Sequence, residues 1–378
     1  MITQERKLKN LKEKNQARAC ALKTSIGGQA LLEGIMMRGP QKTVLAVRNT
    51  KGEIVTEEIE TKVKKRPAIC RWPLIRGVFG YIDSMTMGYK ALMRSAELSG
   101  LEDIVEESPK QKKKREEREA AEREAKGTDA VENIETKVEK NTTDETPKDG
   151  EKQEEKLPAW VTTVVMALGS VLGVLLALAL FMWLPTQLFE WVKKLIPALE
   201  TQNAIANSAI KSAFEGLTRI ILLVGSMSLM LLMKDIRRTF MYHGAEHKSI
   251  FCYEAGLELT VENIKKQRRF HPRCGTSFLF LMVLVGIVIS FFIDPISIAI
   301  TGAPLPTAFR VGLKLLLLPL IVGIGYELIK LAGKHDNLAT RIISAPGKWL
   351  QRVTVLEPTD DMIECAIRAM EEVIPADA

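Results

Sequence analysis

Four stretches of the chain stay apolar over a length that matters. Trp160 to Leu184 runs for 25 residues without a charge. Leu217–Met233, Ser277–Ile293 (closed by Asp294-Pro295) and Leu313–Leu331 follow, the last holding Lys314, Glu327 and Lys330. A helix rises 1.5 Å per residue, so about 20 apolar residues cross a ~30 Å hydrocarbon core. The pattern predicts four membrane spans. Three shorter patterns add to them. Val44–Arg48, the polar Asn49–Gly52 and Ile54–Thr56 read as a hairpin. Trp72–Met93 is apolar but holds Arg76, Asp83 and three glycines, which favours an amphipathic helix in the interface or packed on the bundle over a fifth span. Leu356–Val373 reads as a helix capped by Thr359 or Asp360, with Met362, Ile363, Ala366, Ile367 and Met370 as its apolar stripe. The class expected is a mainly α membrane protein: a four-helix transmembrane bundle with a small α+β N-terminal region and a C-terminal amphipathic helix.

Charge gives this arrangement an orientation. The Lys+Arg count is 32 before the first span, then 3, 9, 1 and 5 in the segments that follow. Positive charge stays on the cytoplasmic side. The alternation therefore predicts a multi-pass protein of a bacterial cell membrane with both termini and the loop 234–276 in the cytoplasm. All 5 cysteines fall on that side, and an odd count there argues against a disulfide framework. No apolar run of signal-peptide length follows the charged N-terminus. Residues 101–156 hold 32 charged residues in 56 and no aromatic, the composition of a disordered linker. The expected division is 1–100, cytoplasmic α+β with an interfacial helix; 101–156, linker; 157–333, membrane domain; 334–378, cytoplasmic C-terminal helix.

The loop 234–276 carries the candidate chemistry. Three of the four histidines lie in it. His243 and His247, spaced i, i+4, can present two imidazoles to one ion from a single helix face, with Glu246 alongside. H-x-x-E-H is the order of the inverted zinc-peptidase motif, in which two histidines hold Zn²⁺ and the glutamate takes a proton from water. A third protein ligand is needed, and Glu254, Glu262, His271 and Cys274 are the candidates. Two other readings stay open. One is a closed structural site of His243, His247, His271 and Cys274; the other is a polar network without metal. Gly244 weakens the helix that the geometry requires. Lys265, Lys266, Arg268, Arg269 and Arg273 form a basic patch suited to anionic lipid head groups, at roughly 1 kcal/mol per residue. The acid-rich linker is no nucleic-acid arm, and no specific nucleic acid is expected.

Longer motifs carry a resemblance. Ile26-Gly27-Gly28-Gln29-Ala30-Leu31-Leu32-Glu33-Gly34-Ile35-Met36-Met37-Arg38-Gly39, the segment Tyr242–Lys248, and His271-Pro272-Arg273-Cys274-Gly275-Thr276-Ser277 resemble the YqhQ-type bacterial membrane proteins. That family is a domain of unknown function often labelled a predicted metal-dependent enzyme. The resemblance marks the N-terminal motif. There, Gly27-Gly28 permits positive φ or close approach, and Glu33 and Arg38 either join the loop site or pair with each other beside a tight turn.

Two functions follow as expectations. The first is a cytoplasm-facing, zinc-dependent hydrolase of a membrane-associated peptide or lipid. His243 and His247 are its ligands, Glu246 its general base, and His271 or Cys274 completes the shell. The second is a non-catalytic membrane factor that binds a translocation, envelope or ribosomal partner, or a second copy of itself, with the histidines holding the loop together. A transporter is disfavoured because Arg219, Lys314 and Glu327 read as lying near helix ends, where snorkelling suffices.

Overall fold

The computed structural model describes residues 24, 26–59, 66–100, 159–334 and 337–375; the linker expected at 101–156 lies outside them. The chain forms two compact units, Met1–Leu101 with Leu178–Ala378, and Glu102–Ala177. The described part of the second is residues 159–177 of the helix α2 (Ala159–Leu178).

A four-stranded antiparallel meander organises the N-terminal part: β1 (Gly27–Leu31), β2 (Gly34–Arg38), β3 (Thr43–Arg48) and β4 (Ile54–Ile59), in that spatial order. β3 and β4 form the expected hairpin, with Val47 opposite Val55. The hairpin β1–β2 is new. The glycine-rich motif reads as a turn, yet it pairs strand to strand with Gly28 opposite Met37 and Leu31 opposite Gly34. Its turn places Glu33 at φ 51, and the Glu33 carbonyl accepts the Arg48 N–H at 2.8 Å. Both faces of the sheet are covered, so alternation disappears from the sequence: β3 reads Val-Leu-Ala-Val and every one of these residues is buried.

On one face Leu31, Met36, Leu45 and Val47 meet Ala91 of α1 (Ile75–Ser99). That helix does not stand alone in an interface. Its first turns pack on Tyr326, which a side chain at Gly77 would strike, and Arg76 makes a two-pronged bond to Glu327 at 2.6 and 2.5 Å. Thus α1 ties the sheet to the helical bundle.

Beyond α2, a π-helical turn (Ala179–Trp183) leads into α3 (Leu184–Leu195), then α4 (Ala204–Met230), α5 (Lys234–Glu254) and α6 (Val261–Lys265). α7 (Gly275–Thr301), α8 (Thr307–Leu316), α9 (Leu318–Lys334), α10 (Leu338–Thr354) and α11 (Asp360–Val373) complete the chain. Among the described residues, three helices are long and apolar enough to cross a membrane: Leu168–Leu195, Ala204–Met230 and Gly275–Thr301. A fourth crossing exists if Thr307–Leu316 and Leu318–Gly333, bent by 47°, count as one. α4 begins well before the predicted Leu217. Hydropathy cuts the window at Lys211 and Glu215, but Lys211 pairs with Glu190 at 2.8 Å and Glu215 with Lys314 at 3.1 Å, so neither ends the helix. Arg219 and Lys314 also depart from expectation: they do not snorkel but are held inside the bundle by Glu215.

α10 has no counterpart among the predicted elements. A capping box at Asn337 and Thr340 starts it, and Gly347 lets it lie against Ser277 of α7. The chain then runs extended past α5, where Leu356 N–H donates to the Phe240 carbonyl at 2.9 Å. α11 buries the predicted stripe Met362, Ile363, Ala366 and Met370 against α5 and the second face of the sheet.

Candidate functional site

α5 is buried continuously from Gly244 to Cys252, although this stretch includes Glu246, His247, Lys248 and Ser249. A polar group buried without a partner costs free energy; His247 and Lys248 are answered by neighbours, whereas Glu246 Oε2 and Ser249 Oγ are not. Gly244 does not weaken the helix. It is where the Leu356 carbonyl lies against α5, and any Cβ there would collide with it.

His243 and His247 stand one turn apart, ring centroids 4.4 Å from each other. His243 Nδ1 meets the Thr354 carbonyl at 3.0 Å and His247 Nδ1 the Arg269 carbonyl at 2.5 Å. Each Nδ1–H is therefore the donor, which turns each Nε2 toward the interior. This is how ligand histidines are usually oriented around metals. His243 Nε2 lies 3.1 Å from Cys274 Sγ. Cys274 is the N-cap residue of α7 and is buried. The ligand atoms of His243, His247 and Cys274 all lie within 4.8 Å of one another.

The electrostatics follow from burial and proximity. Burial opposes ionisation of the Cys274 thiol, but the two imidazoles outweigh it and hold the thiol well below its usual range. Burial likewise opposes charge on His243, and Cys274 overcomes it, raising the imidazole to about 9. Glu246 is pushed upward by burial against the pull of His243 and His247. Its Oε2 is buried with no hydrogen-bond partner. Gly28 of β1 comes so close that a Cβ there would sit 2.9 Å from Glu246 Cγ and 2.7 Å from the Met36 carbonyl. Close approach, not positive φ, is what the second glycine of the motif supplies.

His271 is near but turned elsewhere. Its ring lies 5.5 Å from that of His247 and 4.8 Å from Phe251. Nδ1 accepts the Arg273 N–H at 3.3 Å, and Nε2 lies 3.5 Å from the Arg273 guanidinium. Burial, then the positive groups around it, lower its pKa well below the ordinary histidine value. Gln351 fixes its backbone: Oε1 accepts His271 N–H at 2.8 Å, and Nε2 donates to the His271 carbonyl and to Ser277 Oγ, both at 2.7 Å. Glu254 is engaged by Arg273 and Thr24, and Glu262 is exposed, which leaves Cys274 as the third member of the group.

Glu33 and Arg38 neither join the group nor pair with each other. Glu33 takes Arg238 in a two-pronged bond at 2.5 and 2.6 Å, and Tyr242 Oη donates to it at 3.4 Å. Arg38 is exposed at the end of β2 and borders a cavity of about 470 Å³ between the sheet and α1, shared with Gly27, Gln29 and Ser84. In the basic patch, Lys265 pairs with Asp360 at 2.5 Å, Lys248 with Glu357 at 2.7 Å, and Arg268 lies over the Phe251 ring at 4.5 Å.

Arg238, Gln351 and Thr354 are the supporting residues that sequence reading missed. None stands in a recognisable spacing to the histidines. The one available signal was a buried-looking glutamine in an amphipathic segment.

The family model "Protein of unknown function (DUF1385)" matches residues 72–376. The uncharacterized protein YqhQ of Bacillus subtilis (strain 168) is 30% identical over 354 residues, which covers 93% of either chain. No solved structure matches. The long motifs, the family match and the full-length relative agree: this chain belongs to the YqhQ-type DUF1385 family.

Proposed function

We propose that the protein is a multi-pass membrane hydrolase whose metal centre faces the cytoplasm and acts on a membrane-associated peptide or lipid. His243, His247 and Cys274 would hold the ion. Two nitrogens and a thiolate suit zinc, and three protein ligands leave one position open, the composition of catalytic rather than structural sites. When bound, the metal supplies Lewis acidity. Thr354 and Arg269 orient the two imidazoles through their carbonyls. Glu246 would accept a proton from the attacking water, a role that its shielded carboxylate beside the three ligands favours. The single observation that carries this reading is the unpartnered Glu246 Oε2 beside three converging ligands. Orientation rests on the charge alternation, and Lys266 and Arg268 are the patch residues best free to meet anionic head groups.

A second reading is favoured by the depth of the site. His247 and Cys274 are almost wholly buried, as in a structural centre of a non-catalytic factor that serves an envelope, translocation or ribosomal partner. Metal analysis of the chelator-washed, full-length protein tests both. About one zinc per chain is expected, kept in Glu246→Gln and lost in His247→Ala. Under the hydrolase reading Glu246→Gln alone abolishes turnover of model amides and esters in proteoliposomes. A silent Glu246→Gln with zinc retained selects the structural reading, and a folded protein without zinc removes both.

A further inference from the structure

The cavity between the sheet and α1 has no part in the proposed hydrolytic centre. It exists because α1 touches its neighbours at two glycines and bridges a gap between them. Gly77 lies against Tyr326 of α9, and Gly88 against the Gln29 side chain of β1; a Cβ at either would collide. Ser84, one turn before Gly88 on the same helix face, borders the gap and is exposed. The space left, about 470 Å³, has the size of a small-molecule site, roughly 300–1,000 Å³.

The lining holds polar groups with nothing to bond. Among the described residues, the Arg38 guanidinium, the Gln29 amide and the Ser84 hydroxyl have no hydrogen-bond or ion-pair partner. Arg38 is the only charge among the described lining residues, and no carboxylate is among them. Asp83, next to Ser84 in the chain, is taken up by Arg66 at 2.5 Å. A planar fork of N–H donors matches a phosphate or a carboxylate. The amide and the hydroxyl both donate and accept, which suits alcohol groups. Met36 and Met87 make part of the wall apolar. An ammonium group would find no counter-charge here.

We infer that this cavity binds the head group of an anionic glycerophospholipid whose alcohol is uncharged and carries hydroxyls, of the phosphatidylglycerol type. Arg38 takes the phosphodiester, and Gln29 and Ser84 take the alcohol hydroxyls. The lipid source follows from the other face of α1, where Ile82, Met85 and Tyr89 are exposed. Large apolar and aromatic side chains of this kind lie at a membrane interface. Ser84 is within about 3 Å of Ile82 and Met85 along the helix axis, so a helix seated there opens the cavity among head groups, where the anion at hand is a phosphodiester. The assignment stands apart from any metal, because none of its residues belongs to the histidine–cysteine group. It also gives Gln29 and Arg38 of the glycine-rich motif a common task.

Titration of the full-length protein in an uncharged detergent tests this. The probes are glycerophosphoglycerol, glycerophosphoethanolamine, inorganic phosphate and dihexanoyl phosphatidylglycerol. Glycerophosphoglycerol should broaden its own phosphorus-31 resonance on adding protein and, near saturation, raise Tm by about 2–4 °C. The ethanolamine ester and inorganic phosphate should do neither at the same concentration. The short-chain lipid should act at about tenfold lower concentration, because its chains add apolar contact. Arg38→Gln should weaken the response about tenfold. Gly27→Val, whose Cβ meets nothing within 4 Å, adds bulk to the cavity wall without collision and should abolish the response. If one variant does not fold, the other decides. An indifferent wild type, an equal response to the ethanolamine ester, or an unchanged response in the folded variants would overturn the assignment. An equal response to inorganic phosphate, or a short-chain lipid no better than its bare head group, would overturn the lipid as the source.

Discussion

The histidine–cysteine group and the interhelical charge network around Glu215 and Asp294 solve the same physical problem in opposite ways. Around the histidines, polar groups are answered by backbone. Thr354 and Arg269 carbonyls take the imidazoles, and the Gln351 amide takes the backbone of His271. Backbone partners are fixed in number and place, so the two rings are held in one orientation. In the network, side-chain charges chiefly answer one another, and the Phe181, Met182 and Ser290 carbonyls take Arg219, Thr186 and Ser212. The first arrangement leaves Glu246 Oε2 and Ser249 Oγ without partners; the second leaves Asp294 Oδ1 and Arg310 Nε so. Fixed dipoles suit a site whose side chains must be precisely oriented, whereas paired charges suit a contact that ties separate helices together.

Mutations can sharpen that contrast. The largest effect is expected in the network. Glu215→Leu strands three cations with one carboxylate, and removing one partner from buried ions costs about 3–5 kcal/mol. Its denaturation midpoint in detergent should collapse, and near-wild-type stability would show that the charges are solvated after all. Next comes Gly244→Ala, whose new methyl meets the Leu356 carbonyl. Overpacking of this kind costs about 1–3 kcal/mol, so proteolysis should release the C-terminal helix α11 sooner than in the wild type. Gln351→Leu leaves the His271 N–H and carbonyl buried without partners, at about 1–3 kcal/mol. If backbone bracing matters, zinc affinity should fall with it although no ligand changes. Smallest is Glu33→Gln. The Arg238 pair is partly exposed, and such pairs contribute about 0–1 kcal/mol; a larger loss would place Glu33 in the site's support.

Legibility in the sequence followed separation along the chain. The apolar helices announced themselves by length, and His243, His247 and Cys274 by falling within one loop. The β1–β2 hairpin did not, because glycines hide strand propensity and two covered faces erase alternation. Choosing Cys274 over His271 needed geometry, since only the partners of the His271 ring set it apart. The charge network was invisible for a different reason. Glu215 and Lys314 are 99 residues apart, and each taken singly looks like an interruption of hydropathy. Local windows score such residues as unfavourable and cannot see that they neutralise one another.

The bond between His243 and the Thr354 carbonyl joins residues 111 positions apart. During synthesis at 5–20 residues per second, that separation is on the order of ten seconds. For most of this interval His243, His247 and Cys274, which follows His243 by 31 residues, have all been made, but nothing yet fixes the tautomer of His243, and no chain covers Gly244. The centre is thus one of the last parts of the protein to be finished, even though its motif is read out early. If the group holds a metal as proposed, an ion captured during that delay would meet a looser set of ligands than the completed protein presents. The strand of chain that ends α10 and crosses α5 would then act in time as well as in space, closing the period in which the wrong metal could enter.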